Sequence, residues 1–458
     1  MPDVRDRVVL GTFFHAPAAD TVEILENVLI DVDSDGAIRA VVRPDDGAYA
    51  KRKTAASRAG TLVTLPVGYY GLPGFVDLHL HAPQYPQLGT ALHVPLEVWL
   101  QQHTFPLEAR YADVAFAGRA YAALVADILA LGTTTAVLFA TIHQEATRLL
   151  ADVCLERGLR AVIGKVAMDN AETCPDYYRD ASAAAAIEGT AAFIDYVRTH
   201  PQNRDGRVVP AVTPRFVPSC TDPLLDELGK LAQTCGCDVQ THCSESDWEH
   251  GEVLRRYGRS DAMALDGFGL LTRKTVLAHG NFLSGADMER IAGRGAGVAH
   301  CPISNAYFSH AVFPLRRALE KGVRVGLGTD ISGGPGASLL DNARMAVASS
   351  RMLEDGVDPD KPPDMRGSRD SRIDWRTAFH LATAGGADVL DLPVGSFAPG
   401  RQFDAIAVDT AAPLGTLRIF DDVDDLESVL QKIVYGASRA NIADVWVGGR
   451  RVAGAAAG

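Results

Sequence analysis

The chain has 458 residues, of which 47% are hydrophobic and 22% charged, and its formal net charge is -13. That length accommodates a large barrel with a smaller second domain. The acidic balance and the lack of a long Lys/Arg run argue against nucleic-acid binding. Because no signal sequence or membrane-length apolar stretch is evident, we expect a cytoplasmic protein without a membrane partner. The seven cysteines are expected to be free thiols.

The two ends of the chain are similar in composition. Residues 1–68 and 393–458 contain Val/Ile-rich segments broken by Gly and Asp turns, and Asp33-Ser34-Asp35-Gly36 is a strong hairpin signal. Neither end has enough strands for a stable sheet of its own. We therefore predict that both termini combine into one small β-sandwich domain.

Between the two ends, residues 69–392 alternate short β-rich apolar runs with longer amphipathic segments. This alternation indicates repeated βα units around a parallel sheet. It predicts an α/β fold of the (β/α)8 barrel type, in which catalytic residues follow the C-terminal ends of the strands. The eight candidate strands are residues 74–81, 133–141, 160–169, 207–215, 238–245, 275–279, 297–301 and 323–330.

Helices and loops between the strands are also readable. Asp113 is a plausible N-cap for a helix over residues 114–131, which Gly132 is placed to end. A second helix is predicted over residues 222–235. The segment 355–372, rich in Pro, Asp and Arg, is expected to be a long exposed loop.

Polar residues cluster at the predicted C-terminal strand ends. A single His-x-His is a weak metal signal, and a lone histidine is more often an ordinary core or surface residue. Several such residues at the same end of different strands indicate an active site. The residues are His79 and His81 on the first strand, Arg215 on the fourth, His242 and Glu245 on the fifth, His279 on the sixth and Asp330 on the eighth.

Three neutral imidazoles and one carboxylate suit a borderline cation such as Zn²⁺, with one coordination position left for water. Zn²⁺ lowers the pKa of bound water from about 15.7 to about 7, which favours hydrolysis. Iron or manganese also fits these ligands. Lys165, on the predicted third strand, is interpreted as structural.

Two sets of longer motifs surround these residues. The first set is Pro73-Gly74-Phe75-Val76-Asp77-x-His79-x-His81, His242, Ala278-His279-Gly280 and Gly326-Leu327-Gly328-Thr329-Asp330. The second set is His81-Ala82-Pro83-Gln84-Tyr85, Thr104-Phe105-Pro106-Leu107-Glu108, Thr213-Pro214-Arg215-Phe216 and Thr241-His242-x-Ser244-Glu245. The first set resembles the motifs of the amidohydrolase superfamily, and the second resembles those of the guanine deaminases within it.

The resemblance implies a zinc-dependent conversion of guanine to xanthine and ammonia, in purine catabolism or salvage. One zinc per subunit would be held by His79, His81, His242 and Asp330. His279 would contact the activated water or the developing oxyanion, Asp330 would take the first proton, and Glu245 would protonate a ring nitrogen. Members of the family are commonly homodimers, so a homodimer is expected.

Substrate recognition is expected from a partly separate set. Arg215 can donate in a fixed fork to a purine carbonyl, and Gln84 can both donate and accept. Phe216 packs either against the base or in the core. The ligands and acid–base residues His81, His242, Glu245 and Asp330 are also expected at the substrate.

Two rival interpretations remain open at this stage. The first is a related amidohydrolase that deaminates another heterocycle, such as 8-oxoguanine, a pterin or an s-triazine; Gln84 and Arg215 favour guanine. The second is a barrel without catalysis that serves as a scaffold, which should have lost a ligand or Glu245. None of these residues is missing.

Overall fold

Eight parallel strands form the predicted barrel in the structure, a computed structural model that describes residues 1–454. Neighbouring strands pair in sequence order from the first to the eighth, and a short strand, Val166–Ala167, also pairs with the fourth. All eight candidate strands are confirmed, and their ends differ from the predicted ones by a few residues. They are Phe75–His81, Thr133–Phe139, Arg160–Gly164, Val208–Pro214, Asp238–Cys243, Thr275–His279, Gly297–His300 and Arg324–Leu327.

Backbone hydrogen bonds join the first strand to the segment that follows the eighth. The Asp330 amide donates to the His79 carbonyl at 2.8 Å, and the His81 amide donates to the Ile331 carbonyl at 2.8 Å. These bonds bring the two edges of the sheet together at its C-terminal end. The barrel is therefore nearly closed where the polar residues gather.

Helices follow most barrel strands and cover the outside of the barrel. The predicted helix caps are present: the Asp113 carboxylate accepts from the amides of Ala115 and Phe116, and Gly132 has a φ of 88°. The α-helices are Tyr49–Arg58, Leu96–Trp99, Phe105–Ala109, Val114–Ala130, Gln144–Arg157, Ala183–Thr199, Asp222–Cys235, Asp247–Tyr257, Asp261–Gly267, Gly285–Arg294, Pro302–Ser304, Leu315–Glu320, Leu339–Asp355, Trp375–Ala382, Ala384–Val389 and Leu426–Gly436.

Shorter helical turns complete the barrel's connections and matter for the pocket described below. Two are π-type turns, Leu100–Thr104 and Asn305–Ser309. The 3-10 turns are Ala82–Gln87, Arg110–Ala112, Val217–Ser219 and Arg439–Asn441.

Both termini contribute to one mixed sheet beside the barrel, as predicted. Tyr69–Pro73 pairs with Arg7–Ala18 on one side and with Ala405–Asp409 on the other. Phe13 and Trp446 share an apolar cluster, so the two halves of the sheet have a common core. The domain boundaries at residues 68/69 and 392/393 stay predictions. The sheet's strands are Arg7–Ala18, Thr21–Val32, Ile38–Val42, Leu62–Thr64, Tyr69–Pro73, Ala405–Asp409, Ile442–Val447 and Arg450–Gly454.

Several smaller expectations are confirmed. The Asp33–Gly36 turn separates two antiparallel strands, and residues 356–374 contain neither helix nor strand. All seven cysteines are free, and six of them are buried. Among residues 1–454, no helix is long and apolar enough to span a membrane.

Candidate active site

The predicted metal ligands converge at the C-terminal end of the barrel. His79 Nε2 lies 3.2 Å from Asp330 Oδ1, and His81 Nε2 lies 3.5 Å from the same oxygen. His81 Nε2 and His242 Nε2 are 3.0 Å apart. Ligand atoms from three widely separated parts of the sequence therefore surround one small space.

Hydrogen bonds on the far side of two rings fix which nitrogen faces that space. His242 Nδ1 lies 2.5 Å from the Arg215 carbonyl, and His279 Nδ1 lies 2.9 Å from Asn305 Oδ1. Because each oxygen is an acceptor, each Nδ1 must carry the proton. The Nε2 atoms of His242 and His279 are left with free lone pairs.

These imidazoles fit a divalent cation. Burial lowers the pKa of His81 and of His242 well below the usual value, so both rings are neutral and competent to bind metal. His79 Nε2 and His279 Nε2 are buried and have no hydrogen-bond partner. Buried lone pairs left unpaired are costly unless a ligand uses them. A metal ion would satisfy the His79 nitrogen, and the water that the metal activates would satisfy the His279 nitrogen.

The backbone is strained at three positions where strands turn into the site. Ser244, His279 and Asp330 have φ values of 52°, 73° and 48°, in the left-handed region that non-glycine residues seldom adopt. Such strain costs about 1 to 3 kcal/mol per residue and concentrates at functional sites. Here it turns two acid–base candidates, His279 and Asp330, into the barrel mouth.

Asp77, on the first strand, is hydrogen-bonded to the segment that follows the eighth strand. Its carboxylate accepts from the backbone amides of Thr329 and His79, at 3.0 Å and 3.3 Å, and from the Thr329 hydroxyl at 2.5 Å. Burial raises the pKa of Asp77 to about 6. This carboxyl links the His79 strand to the turn that carries Asp330.

Glu245 lies beside the predicted ligands, in a tight group with His279 and Asp330. Its Oε1 is 3.7 Å from His279 Nε2, and its side chain lines the pocket. Burial, followed by repulsion from Asp330, raises the pKa of Glu245 above its usual value. A carboxyl with a raised pKa can hold a proton near neutrality, as a general acid must.

Gln84 and Arg215 also line this pocket, together with Phe216. Both polar groups are anchored by Glu108, which is fully buried: Arg215 donates to its two oxygens at 2.6 Å and 3.1 Å, and Gln84 Nε2 donates to one of them at 2.9 Å. Phe216 is 5% exposed and also packs in an apolar cluster, and its packing against the base stays a prediction.

Glu108 and an apolar wall were not predicted as site residues. Trp99 and Phe308 pack with their ring centroids 4.9 Å apart, and Leu96 and Leu100 complete that wall. The sequence signal for Glu108 was the motif Thr104-Phe105-Pro106-Leu107-Glu108, on which the family resemblance partly rests but from which no role was assigned to the carboxylate. Lys165 is outside the site and pairs with Asp180 at 2.8 Å, consistent with a structural role.

The sequence profile of the Amidohydrolase family matches residues 70–452. The chain belongs to this family. The match extends over the barrel and the C-terminal part of the mixed sheet, so it includes every strand that carries a site residue. The nearly closed barrel and the separate sheet from both termini are the fold of this amidohydrolase.

Similar proteins of known activity cover almost the whole amidohydrolase chain. The guanine deaminase of Homo sapiens is 35% identical over 452 residues, covering 96% of this chain and 95% of its own. The crystal structure of guanine deaminase from C. acetobutylicum, with guanine bound in its active site, superposes with a TM-score of 0.86 at 30% identity, covering 97% of this chain and 99% of the other. An adenosine deaminase from Xanthomonas campestris with bound zinc superposes with a TM-score of 0.80 at 25% identity, covering 98% and 93%.

Proposed function

We propose that this amidohydrolase is a guanine deaminase, which hydrolyses the exocyclic C2–N bond of guanine. Water supplies the oxygen that replaces the amino group, and the products are xanthine and ammonia. The observation that carries the proposal is one pocket in which Arg215 and Gln84 stand beside Glu245 and the histidine–aspartate cluster. The similarity to guanine deaminases over nearly the full length supports the same activity.

We propose that His79, His81, His242 and Asp330 hold one zinc ion per subunit. When bound, a divalent cation supplies Lewis-acid activation of water at neutral pH. The neutral rings and the unpaired Nε2 atoms support a metal at this position. The zinc reported in the X. campestris adenosine deaminase supports zinc in particular.

The acid–base roles follow from where each group lies. Asp330 Oδ2 is 3.9 Å from His279 Nε2, while Oδ1 faces His79, so Oδ2 is the oxygen available to take a proton. Glu245, with its raised pKa, would protonate a ring nitrogen of guanine and make C2 more electrophilic. His279, whose Nε2 keeps a free lone pair, would accept a hydrogen bond from the activated water.

Recognition of the base falls to the remaining pocket residues. The Arg215 fork would donate to the purine carbonyl, and the Gln84 amide would bond the same edge. A pocket built to donate to a carbonyl rejects adenine, because its donors would be left unpaired. Phe216 and the apolar wall would pack against the faces of the ring.

Three expectations from the sequence stay predictions: a homodimer, a cytoplasmic location and a role in purine catabolism or salvage. The family resemblance supports the homodimer and the purine role. Light scattering on the purified protein tests the dimer.

The first experiment measures ammonia release by purified, metal-analysed protein from guanine, 8-oxoguanine, adenine, cytosine, a pterin and an s-triazine. We expect guanine to turn over far faster than the others. Faster turnover of another substrate would retain the hydrolytic chemistry and refute the roles assigned to Gln84 and Arg215. No turnover of any of them would refute the proposed function.

A second experiment tests the metal. Chelation should abolish ammonia release, and adding back zinc to about one equivalent per chain should restore it. Parallel addition of Fe²⁺ and Mn²⁺ compares the candidate ions. Full activity of metal-free protein would refute the proposed metal site.

A further inference from the structure

Glu108 occupies the point where the two recognition residues meet. It lies on the short helix Phe105–Ala109 and is fully buried. One oxygen accepts from Arg215, and the other accepts from both Arg215 and Gln84. No protonation step of the proposed reaction uses this carboxylate.

The hydrogen bonds determine which way the Gln84 amide points. Its Nε2 donates to Glu108, and its Oε1 accepts from the Ser332 backbone amide at 3.2 Å. Because a carboxylate can only accept and a backbone N–H can only donate, the reversed amide would face two mismatched partners. Glu108 and Ser332 together hold Gln84 in one orientation.

Arg215 is held by the same carboxylate. Burial lowers the pKa of the guanidinium, but the charge and the hydrogen bonds of Glu108, with smaller contributions from Tyr178 and Cys174, together outweigh burial, so the net pKa shift is upward and the group stays charged. The ring of Phe105 packs 5.0 Å from the guanidinium carbon. Arg215 uses one N–H of each terminal nitrogen on Glu108, and its remaining donors are free for a ligand in the pocket.

We infer that Glu108 is a positioning residue that sets substrate specificity by fixing the donors of Arg215 and Gln84 toward the pocket, so that the site selects a ring carbonyl over an amino group. This inference rests on the proposed guanine deamination. Glu108 does not line the pocket; it acts through Arg215 and Gln84, which do.

A glutamine in place of Glu108 cannot accept all the hydrogen bonds that the carboxylate accepts. An amide has one oxygen and one nitrogen, whereas Glu108 accepts from three N–H groups on two oxygens. Whichever way the substituted side chain turned, its N–H₂ group would face a donor of Arg215 or of Gln84. In one turn of the substituted amide Gln84 would lose one of the two partners that fix its orientation, and in the other turn Arg215 would lose an acceptor.

The test compares guanine with 2,6-diaminopurine, which carries an amino group where guanine carries the carbonyl. The guanine preference is defined as kcat/KM for guanine divided by kcat/KM for 2,6-diaminopurine. We expect Glu108→Gln to lower this preference by about 10- to 100-fold, because a fixed donor has become an adaptable group. Metal content should not change. Competitive inhibition by 2,6-diaminopurine gives the same comparison for binding.

A matched control breaks another buried arginine–carboxylate pair. Arg160 donates to Asp404 at 3.1 Å and 3.3 Å at the opposite end of the barrel, and Asp404 is 2% exposed. Asp404→Asn should lower stability while leaving the guanine preference unchanged. A loss of preference equal to that of Glu108→Gln would show that the effect is general destabilisation and would overturn the inference.

Glu108→Asp covers the case in which Glu108→Gln does not fold. It retains the charge beside Arg215 but is one methylene too short to reach both partners, so the preference should fall by less. In a Gln84→Ala background, Glu108→Asp should change the preference less than it does in the wild type. An unchanged preference in every folded Glu108 variant, with normal guanine turnover by the wild type, overturns the inference alone. A wild type inactive on guanine overturns the proposed function instead.

Discussion

Glu245 and Asp330 both lie near the His279 imidazole, but their surroundings differ. Glu245 is buried, its pKa is raised, and it lies 3.7 Å from His279. Asp330 instead faces the imidazoles of His79 and His81. The surroundings of Glu245 suit a proton donor, and those of Asp330 suit a metal ligand. The two roles are separable by substitution.

Glu245→Gln should retain metal and lose turnover. The amide keeps the shape of the side chain but cannot carry the proton, so kcat should fall by about 10²- to 10⁴-fold while zinc content is unchanged. Steady-state kinetics and metal analysis measure both. Glu227→Gln, at a half-exposed surface position, is the control and should match the wild type. Undiminished kcat in Glu245→Gln would remove this residue from acid–base work.

Asp330→Asn should impair metal binding and turnover together. The substitution removes the negative charge of the carboxylate that two imidazoles face and that we propose as a metal ligand, so metal affinity should fall by at least about 10-fold. Competition with a chromogenic chelator measures that affinity. Asp176→Asn, at an exposed position, should change neither property. Full activity at full zinc occupancy would contradict the assigned ligand set.

The barrel strands require small residues where helices cross them closely. Gly326, on the eighth strand, lies under the helix Ala384–Val389: a Cβ built on it would be 2.7 Å from the Gly386 Cα. Contacts that short force backbone atoms to move. Gly293, in the exposed part of Gly285–Arg294, has nothing within 4 Å of such an atom.

Gly326→Ala should therefore lower the free energy of unfolding by about 1 to 3 kcal/mol. Gly293→Ala should raise it by up to about 1 kcal/mol, since alanine is the better helix former. Urea denaturation followed by tryptophan fluorescence measures both variants. Equal stabilities would show that the strand and helix separate at little cost.

At the scale of the whole molecule, buried neutral histidines link stability to pH. His300 is 1% exposed, and burial followed by repulsion from His279 lowers its pKa to about 3. The unfolded chain binds a proton at this residue below about pH 6.5, and the folded chain does not. Stability from His300 is thus present above about pH 6.5 and is lost as the pH falls toward about 3.

Between about pH 7.5 and about pH 5.5 this linkage should cost about 1.4 kcal/mol of unfolding free energy. His300→Gln should remove that part of the pH dependence, whatever other groups contribute. Urea denaturation of both proteins at the two pH values gives the difference. His103→Gln, at an exposed position, is the control and should retain the wild-type dependence. Identical pH dependence in His300→Gln would refute the neutral buried state.

The sequence by itself determined the architecture and the chemistry-bearing strand ends. A buried barrel strand such as Phe75–His81 can be predicted from its own residues. Each of its positions is buried, so the segment is a short apolar run that is visible in the sequence. The His79–His81 spacing likewise puts two rings on one face without reference to the rest of the chain.

Only the tertiary structure decided how the pocket is held. Glu108 meets Arg215 across 107 residues and Gln84 across 24, and Asp77 meets Thr329 across 252. Local sequence patterns do not predict such pairings. A buried carboxylate needs hydrogen-bond donors, and here those donors come from distant parts of the sequence. The same holds for the wall formed by Trp99 and Phe308, whose apolar side chains read in sequence as ordinary core.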